Sequence, residues 1–402
     1  MSPTHRPPLS SRLPSLTGMR FFAALLVFCF HASYENLFAD ESAGDAYATA
    51  FSKAGWMGVS FFFVLSGFLL AWSARDKDTA RRFWRRRFFK VYPNHLVTFA
   101  AALVLLAATG GSLTGWLPNL FLIQAWFPDS DVILGVNPVA WSLSTEAAFY
   151  FAFPFLLAAV RLIPRRYLWW TAAAVVAAVF AMPSLAQALF PSTTPMDWLA
   201  IPEDHYWFIF AFPPVRALDF VLGILMAEIV RNKLWPDTGM LPAAGVVVAA
   251  YVVALEVPFA YSMVAVALVP FAWLITAAAV ADVRETPSPF RGRAMVWLGE
   301  ASFAFYLLHR MVQIYGHRLL GADRTFSTPA VIGLLVLGAG VTLLLSWLLF
   351  SAFERPVMRR FGSPRRTRVH LPAQRTATTA DPAPVAAAPA AAAAPRQDPS
   401  VR

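Results

Sequence analysis

Ten stretches of mostly apolar residues recur along the chain, at 16–34, 55–74, 91–109, 138–160, 167–189, 206–230, 240–257, 260–281, 295–316 and 328–352. Each is near the ~20 residues needed to cross ~30 Å of hydrocarbon as a helix rising ~1.5 Å per residue, a form that pairs every backbone N–H and C=O internally. The pattern predicts an all-α, polytopic transmembrane helix bundle of about ten spans. Several stretches contain Pro, Gly or an ionisable residue, which a bundle tolerates where those groups face protein rather than lipid.

The polar segments between the stretches alternate in charge, and Lys and Arg are retained on the cytoplasmic side. The first connection carries Glu35, Asp40, Glu41 and Asp45 against Lys53; the second carries the run from Arg75 to Lys90, with eight bases and two acids. Later connections continue the alternation, with Arg161, Arg165 and Arg166, then Arg231 and Lys233, then Arg284, Arg291 and Arg293 on one side, and Asp129, Asp131, Asp197, Glu203 and Asp204 on the other. Only the ninth-to-tenth connection, with Arg318 and Arg324 against Asp323, breaks the pattern. Both termini are therefore expected in the cytoplasm. The chain divides into a short N-terminal segment, 1–15, a membrane domain, 16–361, and a Pro/Ala/Arg-rich tail, 362–402, expected to be disordered for want of large apolar groups to bury.

Composition agrees with this division. Apolar residues make up 58% of the 402 and charged residues only 14%, against ~25% charged in a soluble domain, which excludes a water-soluble globule. The single cysteine, Cys29, excludes a disulfide framework and a thiolate metal cluster, and no metal-ligand spacing occurs elsewhere. The net charge of +10 has no interleaved aromatic platform or recognisable module behind it in the tail, so nucleic acid is not an expected partner.

A charge inside a span costs several kcal/mol unless paired or hydrated, so each one is a candidate site. In the first stretch Arg20 and His31 stand eleven residues apart, which at ~100° per residue leaves them within about 20° of one face and ~16 Å apart along the axis. A snorkelling arginine and a core histidine would have the same spacing. Cys29 points ~200° away from His31, a poor geometry for a nucleophile pair. The fourth stretch places Ser142, Glu146 and Tyr150 at i, i+4 and i+8, one polar stripe in an aromatic segment; interhelical hydrogen bonding is its structural alternative. The ninth repeats the device with Ser302, Tyr306, His309 and Gln313. In the sixth, Arg216 and Asp219 are three apart and read as a structural ion pair.

Several of these segments, in this order, resemble the acyltransferase 3 family of integral-membrane O-acyltransferases. The resemblance covers roughly residues 13 to 361. It is carried by Leu16-Thr17-Gly18-Met19-Arg20 with His31, by the run from Gly58 to Phe68, by Trp141-Ser142-Leu143-Ser144-Thr145-Glu146 with Tyr150, by Arg216-Ala217-Leu218-Asp219-Phe220 with Gly223, by the run from Ser302 to His309, and by Glu354-Arg355-Pro356. The chain departs from the family at the start of the third span, where Arg-x-x-Arg is replaced by Arg87-Phe88-Phe89-Lys90; Lys keeps the charge without the bidentate fork. A second Arg-x-x-Arg, Arg82 to Arg85, lies just upstream.

The resemblance implies a bacterial plasma-membrane enzyme that moves an acyl group from acyl-coenzyme A to a hydroxyl, commonly of a sugar, in a surface glycan or in a glycosylated natural product such as a macrolide. On that basis Arg87, Lys90, Arg82 and Arg85 are expected to contact the donor. His31 is the expected base, with Glu146 orienting it and Arg20 stabilising developing charge. Ser142, Tyr150, Tyr306 and His309 are expected to bind substrate. A proton-coupled secondary transporter is the competing reading of the same intramembrane His, Glu and Arg, and it would carry inverted repeats, which the sequence lacks.

Overall fold

All ten apolar stretches are helical in the computed structural model, which describes residues 12–362 apart from 76, 77, 237 and 322. The expected tail from 363 onward, the first eleven residues and Lys77 lie outside the described residues. The long helices are α1 (Pro14–Ala32), α2 (Ala54–Ser73), α3 (Ala80–Ala108), α4 (Trp141–Leu162), α5 (Leu168–Leu189), α6 (Pro213–Arg231), α7 (Met240–Glu256), α8 (Ala265–Val283), α9 (Arg293–Leu320) and α10 (Thr328–Leu349). Among the described residues no strand forms, only two isolated bridges. Among the described residues eight helices are long and apolar enough to cross a membrane, and the chain is a multi-pass helical membrane protein. The two expected spans that fall short do so for different reasons: α7 has 17 residues, and α9 carries Arg293, Glu300, Arg310 and Arg318 along its 28.

One boundary differs from the sequence expectation in a way that matters for the site. The basic run, expected as a connection ahead of a span at 91, is helical from Ala80, with the Thr79 side chain accepting a hydrogen bond from Arg82 N at 3.4 Å. Dense charge excludes these residues from hydrocarbon but does not oppose a helix, because Arg and Lys are good helix formers. The basic residues thus stand on a rigid element with fixed faces.

Two glycine contacts set the centre of the bundle. A Cβ on Gly67 of α2 would lie 2.0 Å from the Phe220 carbonyl oxygen of α6, and one on Gly223 of α6 would lie 2.0 Å from that of Val64. Gly299 of α9 makes the same close approach to Thr17 of α1, at 1.9 Å. Small residues bring backbones together where van der Waals packing, not a hydrophobic effect, must hold helices in lipid. Beside the first contact, Arg216 and Asp219 are fully buried and paired at 2.8 Å. The guanidinium donates to Ser60 Oγ at 3.0 Å and lies over the rings of Phe63 and Phe210, the structural role expected of it. On the periphery, Val336, Leu337 and Leu344 of α10 are exposed, as a lipid-facing helix requires.

Candidate active site

The face of α1 that carries both Arg20 and His31 borders two cavities, one at each residue. The first, of about 150 Å³, is lined by Arg20, by Ser66 of α2, by Arg87 and Lys90 of α3, by Ser142, Glu146 and Tyr150 of α4, and by Ser302 and Tyr306 of α9. The second, of about 450 Å³, is lined by His31, Arg310 and an aromatic wall including Tyr34, Trp56, Trp141, Trp198, Tyr206 and Phe210. Val59 and Tyr306 line both and form the partition between them.

At the edge of the aromatic cavity the two intramembrane histidines meet, His31 Nδ1 lying 2.9 Å from His309 Nε2. The hydrogen-bond chain fixes the tautomers. His309 Nδ1 lies 2.7 Å from the Tyr306 carbonyl oxygen, which only accepts, so that nitrogen carries the proton. In neutral His309 the Nε2 is then an acceptor, and His31 must donate from its own Nδ1. The lone pair of His31 consequently resides on Nε2, the state required of a general base. His309 Nε2 thus accepts at the His31 Nδ1 position where a triad has its carboxylate, without the carboxylate's charge.

Glu146, expected beside that imidazole, has other partners. Its carboxylate accepts from the Tyr150 hydroxyl one turn along α4 and from Ser66 Oγ of α2 at 3.2 Å. It borders the first cavity, whereas His31 borders the second. Sequence spacing identified both residues, but which pairs with which depends on how α1, α4 and α9 dock. Ser142 and Tyr150, expected at a shared substrate site with His309, line the first cavity, while His309 is fully buried behind His31. Tyr306 bridges the regions through a 2.9 Å hydrogen bond to Ser142 Oγ, which itself donates to the Val139 carbonyl oxygen at 3.1 Å.

The helical geometry of the basic run separates its members. Arg87 reaches the first cavity with its guanidinium 5.7 Å from the ring of Phe83 and 5.8 Å from that of Tyr150, and its buried Nε has no hydrogen-bond partner. Lys90 also lines the cavity, but its ammonium is paired with the buried carboxylate of Glu354, which Asn94 also contacts. Arg82 and Arg85 are exposed and line neither cavity. Arg86 binds Asp78, and that hydrogen bond holds the Asp78 carboxyl below the usual carboxylate range. Sequence reasoning had Ser66 and Glu354 only inside signatures of the family, without a role for either, and passed over Arg310. The signal for Arg310 was present, an ionisable residue next to His309 in an apolar stretch. Ser66 gives no such signal until its helix is docked.

An acyltransferase domain family matches residues 13–351. The acyltransferase MdmB of Streptomyces mycarofaciens is 45% identical over 373 residues, covering 89% of this chain and 95% of that protein. Nodulation protein 10 of Rhizobium leguminosarum bv. viciae is 30% identical over 190 residues, 42% of this chain and 49% of that protein. The putative peptidoglycan O-acetyltransferase YrhL of Bacillus subtilis is 24% identical over 385 residues, 86% of this chain and 55% of its own length. No solved structure matches the chain.

Proposed function

The chain belongs to the acyltransferase 3 family and is an O-acyltransferase, and from that premise we propose that it moves a short acyl group from acyl-coenzyme A, held at the basic cavity, to a sugar hydroxyl in the aromatic cavity. The observation that carries this reading is the His31–His309 pair, which leaves His31 Nε2 as the proton acceptor on the aromatic side of a partition whose other side is basic. Family membership disfavours the transporter.

The acceptor oxygen attacks the thioester carbonyl carbon and gives its proton to His31 Nε2. The C–S bond then breaks, and the imidazolium returns the proton to the departing thiolate. Arg20 and Arg87 supply positive charge on the donor side, where the coenzyme carries its phosphates. Ser142 bonds Tyr306 and a carbonyl rather than an imidazole or carboxylate, so direct transfer fits better than an acyl-enzyme on that hydroxyl. Aromatic walls suit the apolar face of a pyranose. The acceptor we propose is a small glycosylated molecule such as a macrolide, whose sugar ring the aromatic cavity of about 450 Å³ has room to hold. Loop charge supports cytoplasmic termini and a donor entering from the cytoplasm, the ten apolar stretches support about ten crossings, and bacterial relatives support a bacterial plasma-membrane location.

The test is His31→Ala in membranes given labelled acetyl-coenzyme A and longer acyl donors, with mass spectrometry of the product. Transfer is expected to fall by at least ~100-fold at unchanged protein abundance. Near-normal transfer by the variant rejects the reading.

A further inference from the structure

Behind the histidine pair the end of α1 is tied to α9 by a second set of polar contacts that the proposed chemistry does not use. Arg310, one residue after His309, donates from Nη1 both to the Glu35 carboxylate and, at 3.3 Å, to the main-chain carbonyl oxygen of His31. The other oxygen of Glu35 lies 3.3 Å from His317 Nδ1. Gln313, between them on the same helix, donates to the Phe28 carbonyl oxygen at 2.8 Å. Residues 310, 313 and 317 follow a spacing of three and four and share one face of α9. That face grips the last turn of α1 and the residues just past it.

The ion pair is largely sheltered, with side-chain exposures of 15% for Arg310 and 11% for Glu35. Exposed surface pairs contribute little, whereas a sheltered, hydrogen-bonded pair loses several kcal/mol when one partner is removed. The carbonyl that Arg310 holds belongs to the residue whose ring must meet His309 at 2.9 Å. The His31 carbonyl oxygen also accepts from the Ser33 N–H at the helix end, and its second lone pair takes the guanidinium, so Arg310 adds a side-chain tie where the chain leaves the helix.

We propose that Arg310, through Glu35 and the His31 carbonyl, is the positioning residue that holds His31 in register with His309. This rests on His31 being the base, and the test separates the two claims. Displacement of a reacting group by ~1 Å costs on the order of 100-fold in rate. Arg310→Ala is therefore expected to lower kcat by ~100-fold with little change in the KM for acyl-coenzyme A. Glu35→Gln should do nearly the same, and the double variant should be no worse than either single one, because both remove one clamp. Arg310→Lys, which keeps a cationic donor for the carboxylate and the carbonyl, should recover at least ~10-fold over Arg310→Ala.

The measurement uses the full-length protein in nanodiscs, with steady-state kinetics and amide hydrogen exchange of residues 28–37. Faster exchange in Arg310→Ala together with lost kcat supports the clamp. Faster exchange at unchanged kcat overturns it, as do unchanged exchange or additive losses in the double variant. A rise confined to the acceptor KM also overturns it, because Arg310 would then be a substrate contact lining the aromatic cavity. An active His31→Ala would instead reject the base assignment, and the exchange data would still report on the clamp.

Discussion

His309 is the residue whose role changes most between sequence and structure. The spacing of Arg20 and His31 needs only the geometry of one helix, so it was legible along the chain and both side chains do border cavities. The pairing of His31 with a residue 278 positions away is set by the docking of α1 on α9, which no local pattern records. Hence it is His309, not Glu146, that lies against the His31 ring, although both stood out as intramembrane ionisable groups. Replacing His309 by Phe removes the imidazole acceptor of the His31 Nδ1–H and loosens the ring. Initial rates in nanodiscs are expected to drop ~100- to 10,000-fold at constant protein abundance; a rate within threefold of the parent would contradict the tautomer argument.

At the scale of elements, α3 shows why charge alone did not separate Arg87 and Lys90 from Arg82 and Arg85. Eight bases in one run read alike in sequence, yet a helix distributes them: Arg87 and Lys90 on the cavity, Arg86 on Asp78, Arg82 and Arg85 to the exterior. Arg87→Ala combined with Lys90→Ala is expected to raise the apparent KM for acyl-coenzyme A by ~10-fold or more, two charge-assisted contacts being lost. Removing Arg82 and Arg85 together should leave it within about twofold in the same titration. The α2–α6 contact makes a separate prediction. Gly67→Val places a side chain where the Phe220 carbonyl oxygen stands 2.0 Å from any Cβ, so the helices must part, at a cost of ~1–3 kcal/mol or more. Thermal unfolding in detergent should shift down by several degrees, whereas Gly333→Ala, with nothing within 4 Å, should leave the midpoint unchanged or raised.

Across the whole molecule, the proposed function gives each cavity one task, a polyanionic donor in the basic one and a ring-shaped, apolar-faced acceptor in the aromatic one. The requirements conflict, since a phosphate needs fixed cations and a sugar face needs aromatic carbon. The bundle resolves the conflict by placing basic and aromatic cavities on either side of Tyr306 and Val59, with the two ends of the Arg20-to-His31 face ~16 Å apart. Acyl-coenzyme A does not cross bilayers unaided, because its charges face the full desolvation cost of hydrocarbon. If the basic cavity opens to the cytoplasm, as loop charge argues, only one vesicle orientation uses external donor. Inverted membrane vesicles given acyl-coenzyme A outside are expected to acylate the acceptor, and right-side-out vesicles to do so only after permeabilisation. Orientation is checked by protease access to the 75–90 segment. A faster rate in sealed right-side-out vesicles would place the donor entrance on the other side, and equal rates would place it between helices; either would dissolve the link between the basic run and the thioester.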